Sequence, residues 1–166
     1  MLTQNMQQAI NEQIKNEIYS AYLYLSMSAH FEANNLPGFA QWMRIQSREE
    51  LDHALKFFDY VNERGGRVTL IAIPKPASEW KTSLEVFNQV LEHEQLVTSL
   101  IHKLYETALA EKDYASQVML QWFIDEQVEE EKNATEIVEQ LKLIDAHDTA
   151  VLMLDHRLGK RGKEKD

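Results

Sequence analysis

The sequence predicts an all-α fold: a bundle of four long helices, a long crossover between the second and third, and a short fifth helix near the C-terminus. Three observations carry that prediction. Apolar residues recur at helical spacing through four long segments, and only five glycines and three prolines interrupt 166 residues. One stretch of extended character sits in the middle. The whole of 1–166 is expected to form a single domain, long enough to bury a sizeable core. The bundle takes about 5–145, and the fifth helix and tail take 146–166.

The first helical pattern runs from Asn5 to Asn34, where "NNLPG" supplies turn chemistry. A second begins near Gly38 and stops at Gly65 and Gly66. Residues 67–80, "RVTLIAIPKPASEW", hold β-branched residues and two prolines spaced by one, so they read as an extended crossover. "KTSLEVFNQV" opens the third helix, with Thr82 or Ser83 as N-cap and Glu85 in the first turn. That helix fades near "AEKDY", and a fourth runs from about Ala115 to Ile144. "DTAVLMLDHRL" forms the fifth segment, ahead of the charged tail "GKRGKEKD". Short first and third links make each helix pair antiparallel. At roughly 3.3 Å per extended residue the crossover spans a helix length, so the second and third helices run parallel.

Counting in sevens exposes a seam on each helix. The rows read Gln7, Ile10, Ile14, Glu17, Ala21, Tyr24, Ser28, Phe31 in the first, and Met43, Gln46, Glu50, His53, Phe57, Tyr60 in the second. In the third they read Leu84, Phe87, Leu91, Glu94, Thr98, Ile101, Tyr105, Ala108, and in the fourth Leu120, Phe123, Gln127, Glu130, Ala134, Ile137, Leu141, Ile144. Every seam is broken by a carboxylate. An isolated buried carboxylate costs many kcal/mol unless paired or neutralised. Four of them, with one histidine and no seam lysine or arginine, cannot pair among themselves. A metal, and more simply two, supplies the missing positive charge; a buried polar network without metal is the alternative.

Ligand chemistry narrows the ion. Carboxylates with one imidazole suit iron or manganese, and thiolate-seeking ions are disfavoured. The absence of cysteine excludes disulfides, zinc–thiolate sites, iron–sulfur clusters and thiol nucleophiles. Of six histidines only His53 has glutamate at both i−3 and i−4; His30, His93, His102, His147 and His156 lack ligand spacing and read as surface or satisfied core residues. A net charge of −10 argues against nucleic acid as a partner. No apolar run approaches membrane length and the start lacks a signal-peptide pattern, so no membrane partner and a cytoplasmic location are expected.

The set Glu17, Tyr24, Glu50-x-x-His53, Glu94 and Gln127-x-x-Glu130 resembles the non-haem bacterial ferritins over essentially the whole chain. Ferritin-like di-iron proteins are themselves the standing example of this bundle. Gln127 and Glu130 stand where a second Glu-x-x-His would be, a departure that matches ferritin proper rather than bacterioferritins or rubrerythrins. Leu51 occupies the place of the haem-ligating methionine, so no haem is expected.

The resemblance implies that Glu17, Glu50 and His53 bind one iron, that Glu50 bridges to a second, and that Glu94 and Glu130 complete that second site. Gln127 is expected to hydrogen-bond bound oxygen or water. Glu49, Glu126 and Glu129, displaced about 100° from the seam, imply a third iron position, with a solvated acidic face as the alternative. Tyr24 is implied as hydrogen-bond donor and one-electron source. Trp122 reads as a packing residue beside the site. The implied function is iron storage with ferroxidase activity on ferrous iron and dioxygen, in a homo-oligomer of twenty-four subunits. A di-iron oxygenase and a DNA-protecting mini-ferritin are the rival readings. Val151, Leu152, Leu154 and Leu158 would form an exposed strip on a lone bundle, so that strip is expected to bury against symmetry mates.

Overall fold

The computed structural model describes residues 1–144 and 148–162, so the position of His147 lies outside the described residues. Five helices follow in order: α1 (Gln4–Ala33), α2 (Pro37–Glu63), α3 (Ser83–Ala110), α4 (Tyr114–Ile144) and α5 (Asp148–Leu158). No strand occurs among the described residues, and no helix there is long and apolar enough to cross a membrane.

Local chemistry sets the helix ends. Thr3 caps α1 by accepting the Met6 N–H at 3.1 Å, and Asn35 turns the chain with φ +58°. Pro37, already constrained to helical φ, opens α2. Of the two candidate caps on α3, Thr82 is the one used: its Oγ1 accepts the Glu85 N–H at 3.1 Å, while Glu85 Oε2 accepts the Lys81 N–H at 2.7 Å. Asp113 receives the Ser116 N–H at 3.1 Å in the first turn of α4. The same carboxylate takes a two-pronged ion pair from Arg64 at the end of α2, at 3.0 and 3.2 Å. Burial opposes its ionisation, but the Arg64 and Ser116 hydrogen bonds prevail and hold the Asp113 carboxyl below its usual range.

Side-chain pairings give the helix directions. Ser28 meets Ala40 and Ser47 meets Ala21, so α1 and α2 are antiparallel; Gln117 meets Ala108, so α3 and α4 are antiparallel too. Phe39 and Trp42 at the start of α2 pack on Phe87 at the start of α3, and Arg64 reaches Asp113 at the far end. Helices α2 and α3 therefore run parallel. The crossover carries the chain back along α1, tied by Asn11 to Arg67 and Thr69 and by Ser26 to Ala77. Trp80 anchors its end, buried against His30 and bonded to Gln89.

The core is two apolar clusters with a polar layer between them. One, around Tyr24, Phe31, Phe39, Trp42 and Phe87, fills the end near the start of α2. The other, around Ile10, Phe57, Ile101 and Phe123, fills the opposite end, with Phe57 and Phe123 stacked at 3.9 Å. Burying each such ring contributes about 1.5–3 kcal/mol, which supports a middle layer of very different character.

Two expectations need correction. On α3 the row of Leu84, Leu91, Thr98 and Tyr105 is only partly buried, and Val90, Val97 and Leu104 take the inner position beside Phe87, Glu94 and Ile101. Apolar residues on both flanks leave the heptad ambiguous, and packing against α1 and α4 selects the valine row. The α5 strip is also divided. Leu154 is buried in the first cluster with Val151 and Leu158 packed against it, and Leu152 faces outward. Asp155 explains the docking, since its Oδ1 accepts the Phe39 N–H of the first turn of α2 at 2.8 Å.

Candidate metal centre

Helical spacing brings the seam carboxylates into the polar layer, each from a different helix. Glu17 comes from α1, Glu50 and His53 from α2, Glu94 from α3, and Glu130 with Gln127 from α4; all six are buried. Glu17, Glu50 and His53 each offer a donor atom within 4.8 Å of the others, and so do His53, Glu126 and Glu130. His53 belongs to both sets, with Nδ1 3.4 Å from Glu50 and Nε2 3.9 Å from Glu126. Glu126, placed by the sequence in an outer set, thus shares a donor set with His53 and Glu130.

Hydrogen bonds account for most of the remaining lone pairs. Gln13 Nε2 donates to Glu17 Oε1 at 2.7 Å. Gln46 Nε2 spans Glu50 Oε1 at 3.2 Å and Glu130 Oε2 at 2.7 Å, linking the two halves of the layer. Tyr24 Oη donates a short hydrogen bond to Glu94 Oε1, and Gln127 Nε2 donates to Glu94 Oε2 at 3.1 Å. Glu17 Oε2 has no partner, the one such buried side-chain atom among the described residues. It lies in the set with Glu50 and His53, where a cation would satisfy it.

The layer's electrostatics point the same way. Burial, then the Glu50 charge, pushes the Glu17 carboxyl up to about 8. Glu50 is raised well above the carboxylate range by burial and by Glu94 and Glu130. Burial holds Glu94 at about 7 against the hydrogen bonds from Tyr24 and Gln127, and burial with the Glu94 charge raises Glu130 to about 7. Four acids crowd one another, and no buried lysine or arginine answers them among the described residues.

The chain matches the Ferritin family model, a ferritin-like domain, over residues 7–144. It belongs to the ferritin family. A bacterial non-heme ferritin of Bacteroides fragilis is 45% identical over 161 residues, covering 97% of this chain and 100% of that protein. A bacterial non-heme ferritin of Campylobacter jejuni is 39% identical over 155 residues, 93% of each chain. Among solved structures, a novel open pore ferritin from the archaeon Archaeoglobus fulgidus superposes with a TM-score of 0.96 at 52% identity, covering 97% of this chain and 99% of that one.

In this ferritin-family chain the outer carboxylates are more scattered than the inner ones. Glu126 and Glu49 are partly buried and Glu129 is exposed, and of the three only Glu126 joins a donor set. Trp122 is 39% exposed; its ring meets His53 at 5.4 Å and carries Lys56 Nζ 3.8 Å from its centroid. Sequence reasoning did not find Gln13 or Arg161, whereas His93, read there as a surface or satisfied core residue, is a satisfied core one. His93 packs edge-on against Tyr24 and bonds Ser20 at 2.7 Å, and burial lowers its pKa to about 4. Arg161, just beyond α5, donates to Gln46 Oε1 at 2.9 Å and to Glu49 Oε2 at 2.5 Å. Nothing periodic in the tail announces that reach.

Proposed function

We propose that this protein is an iron-storage ferritin that oxidises ferrous iron with dioxygen at a dinuclear ferroxidase centre within one subunit. Ferric mineral is then held inside an oligomeric shell of twenty-four subunits. One observation carries the reading: four buried carboxylates share a layer with one imidazole, and among the described residues no buried cation faces them and Glu17 Oε2 is left without a partner. Membership of the ferritin family supports iron as the ion.

Ferrous iron is the substrate of this centre. Glu17, Glu50 and His53 take one ion, and Glu50 with Glu94 and Glu130 takes the other, in the manner of two-metal sites about 3.5–4 Å apart. Each ion surrenders one electron, and the two electrons together reduce one dioxygen to the peroxide level. Carboxyls that hold protons in the metal-free layer release them as iron binds. Tyr24 orients Glu94 through its hydroxyl, a position from which it could also pass an electron, and Gln127 steadies the same carboxylate. Glu49, Glu126 and Glu129 form an outer position that receives iron on its way to the cavity.

Aerobic addition of ferrous iron to the apo-protein, followed by ferric absorbance, tests the proposal. A fast phase should saturate at about two irons per subunit. Glu50→Ala and His53→Ala should each slow that phase by at least about 10–100-fold with helical circular dichroism preserved. Variants that oxidise iron at the wild-type rate would place the chemistry elsewhere.

A further inference from the structure

Arg161 bonds one carboxylate of the outer set, Glu49. It follows α5 in a tight turn, its N–H bonding to Leu158 O at 3.2 Å, and Gly162 with φ +78° bends the chain beside Ile45. The guanidinium stacks over Trp42 with its carbon 4.6 Å from the ring centroid. From there its two terminal nitrogens separate: Nη1 donates to Gln46 Oε1, and Nη2 donates to Glu49 Oε2. Three contacts of different kinds hold one side chain, of which 23% is exposed.

The Gln46 contact has a directional consequence. Arginine can only donate, so the amide group facing it must be the Gln46 oxygen. With Arg161 on one end and Glu50 and Glu130 on the other, the amide is oriented with Oε1 outward and Nε2 inward. The amide thus couples the guanidinium to the inner carboxylates while the second prong covers Glu49. A guanidinium and a divalent ion cannot share the same carboxylate oxygen at contact distance without strong repulsion.

We propose that Arg161 is a built-in competitor for the outer cation: its guanidinium occupies Glu49 in the metal-free protein and must swing away before an ion can use that carboxylate. The inference rests on the outer position proposed above for Glu49, Glu126 and Glu129. It makes the turn of residues 158–162 after α5 a control on the filling of that outer position. The Arg161–Glu49 pair is partly exposed, so the displacement needs no opening of the bundle. Lysine at 161 would keep the charge but lose the fork that spans Gln46 and Glu49 together.

The test is an anaerobic Co(II) titration of the apo-protein, with anomalous diffraction from crystals soaked in Co(II), for wild type, Arg161→Gln and Arg161→Lys. The two inner ions should still bind in all three proteins, since every inner ligand is kept. The outer ion should bind about tenfold more tightly in Arg161→Gln than in wild type, with Arg161→Lys between them. A single charge removed from beside a partly exposed carboxylate supports that order of effect. Wild-type crystals with Co(II) on Glu49 should show the Arg161 side chain withdrawn from it. Equal outer affinity in wild type and Arg161→Gln overturns the competition while leaving the outer position standing. Co(II) on Glu49 with Arg161 still bonded there overturns it as well. Two filled inner sites with no outer ion in any of the three overturns the outer position itself, and the competition with it.

Discussion

Glu17 has exchanged water for protein on every side, and in the metal-free molecule it keeps its proton up to about 8 because burial, then Glu50, disfavours the charge. In the unfolded chain the same carboxyl ionises near 4.5. A folded-state pKa above the unfolded one means that stability present at low pH is lost as pH rises towards the folded value. Glu94 and Glu130, raised to about 7, act in the same direction. His93 works the other way, since burial lowers it from 6.5 to about 4, but its slope ends at about 6.5. Between pH 6.5 and 8 the carboxylates act alone. Urea unfolding of the apo-protein should therefore show stability falling across that window by a few kcal/mol, since a tenfold change in a group's proton affinity is worth about 1.4 kcal/mol. Added Zn(II) should cancel the fall, because it takes the place of the protons. An apo-protein that becomes more stable from pH 6.5 to 8 would contradict the buried, proton-holding layer. The inner carboxylates were legible because each breaks an otherwise apolar heptad row. Gln13 and Arg161 were not, since one sits off the row and the other approaches from the opposite end of the chain.

At the scale of elements, helix lengths and directions follow from periodicity and turn chemistry, which are local and survive in a bare sequence. What the sequence left open was set by contact. On α3 two apolar rows competed for the inner face, and only the neighbouring helices decide for Val90, Val97 and Leu104. For α5, the strip of Val151, Leu152, Leu154 and Leu158 gave no sign of which would turn inward. The docking depends on two glycines. A Cβ on Gly38 would stand 1.7 Å from Asp155 O, and one on Gly159 would stand 2.9 Å from Gly38 Cα. Backbone cannot yield there as a flexible side chain would. Gly38→Ala should push α5 off the start of α2, remove the Asp155 cap and destabilise the bundle by about 1–3 kcal/mol. Asp155→Ala, which loses the bond to Phe39 N–H without the clash, should cost about 1–2 kcal/mol. Thermal unfolding of both variants checks this. A Gly38→Ala protein as stable as wild type would mean that α5 does not dock as described.

The whole molecule keeps an apolar surface that a lone subunit would have to leave in water. Leu143 is 85% exposed, Leu152 56% and Met153 71%, and Leu143 and Met153 line an open groove with Ile144, Ala150 and Leu154 between α4 and α5. Contiguous patches of this kind mark surfaces that associate. Removing all of 146–166 is a poor test of assembly, because it would strip Leu154 from the core and Asp155 from the α2 terminus. Charge placed on the outward residues alone separates the two roles of α5. Leu152→Glu combined with Met153→Glu leaves Val151, Leu154 and Leu158 on the bundle and puts two carboxylates into the proposed contact. The wild-type protein should sediment as one large species at physiological salt. The double variant should shift to species of a few subunits while its helical circular dichroism and its first phase of iron oxidation persist, since each subunit carries its own inner carboxylates. A double variant that assembles like wild type would move the assembly surface away from this face of α5. A wild-type protein that sediments only as monomer or dimer would sink the storage shell itself, even with iron oxidation intact.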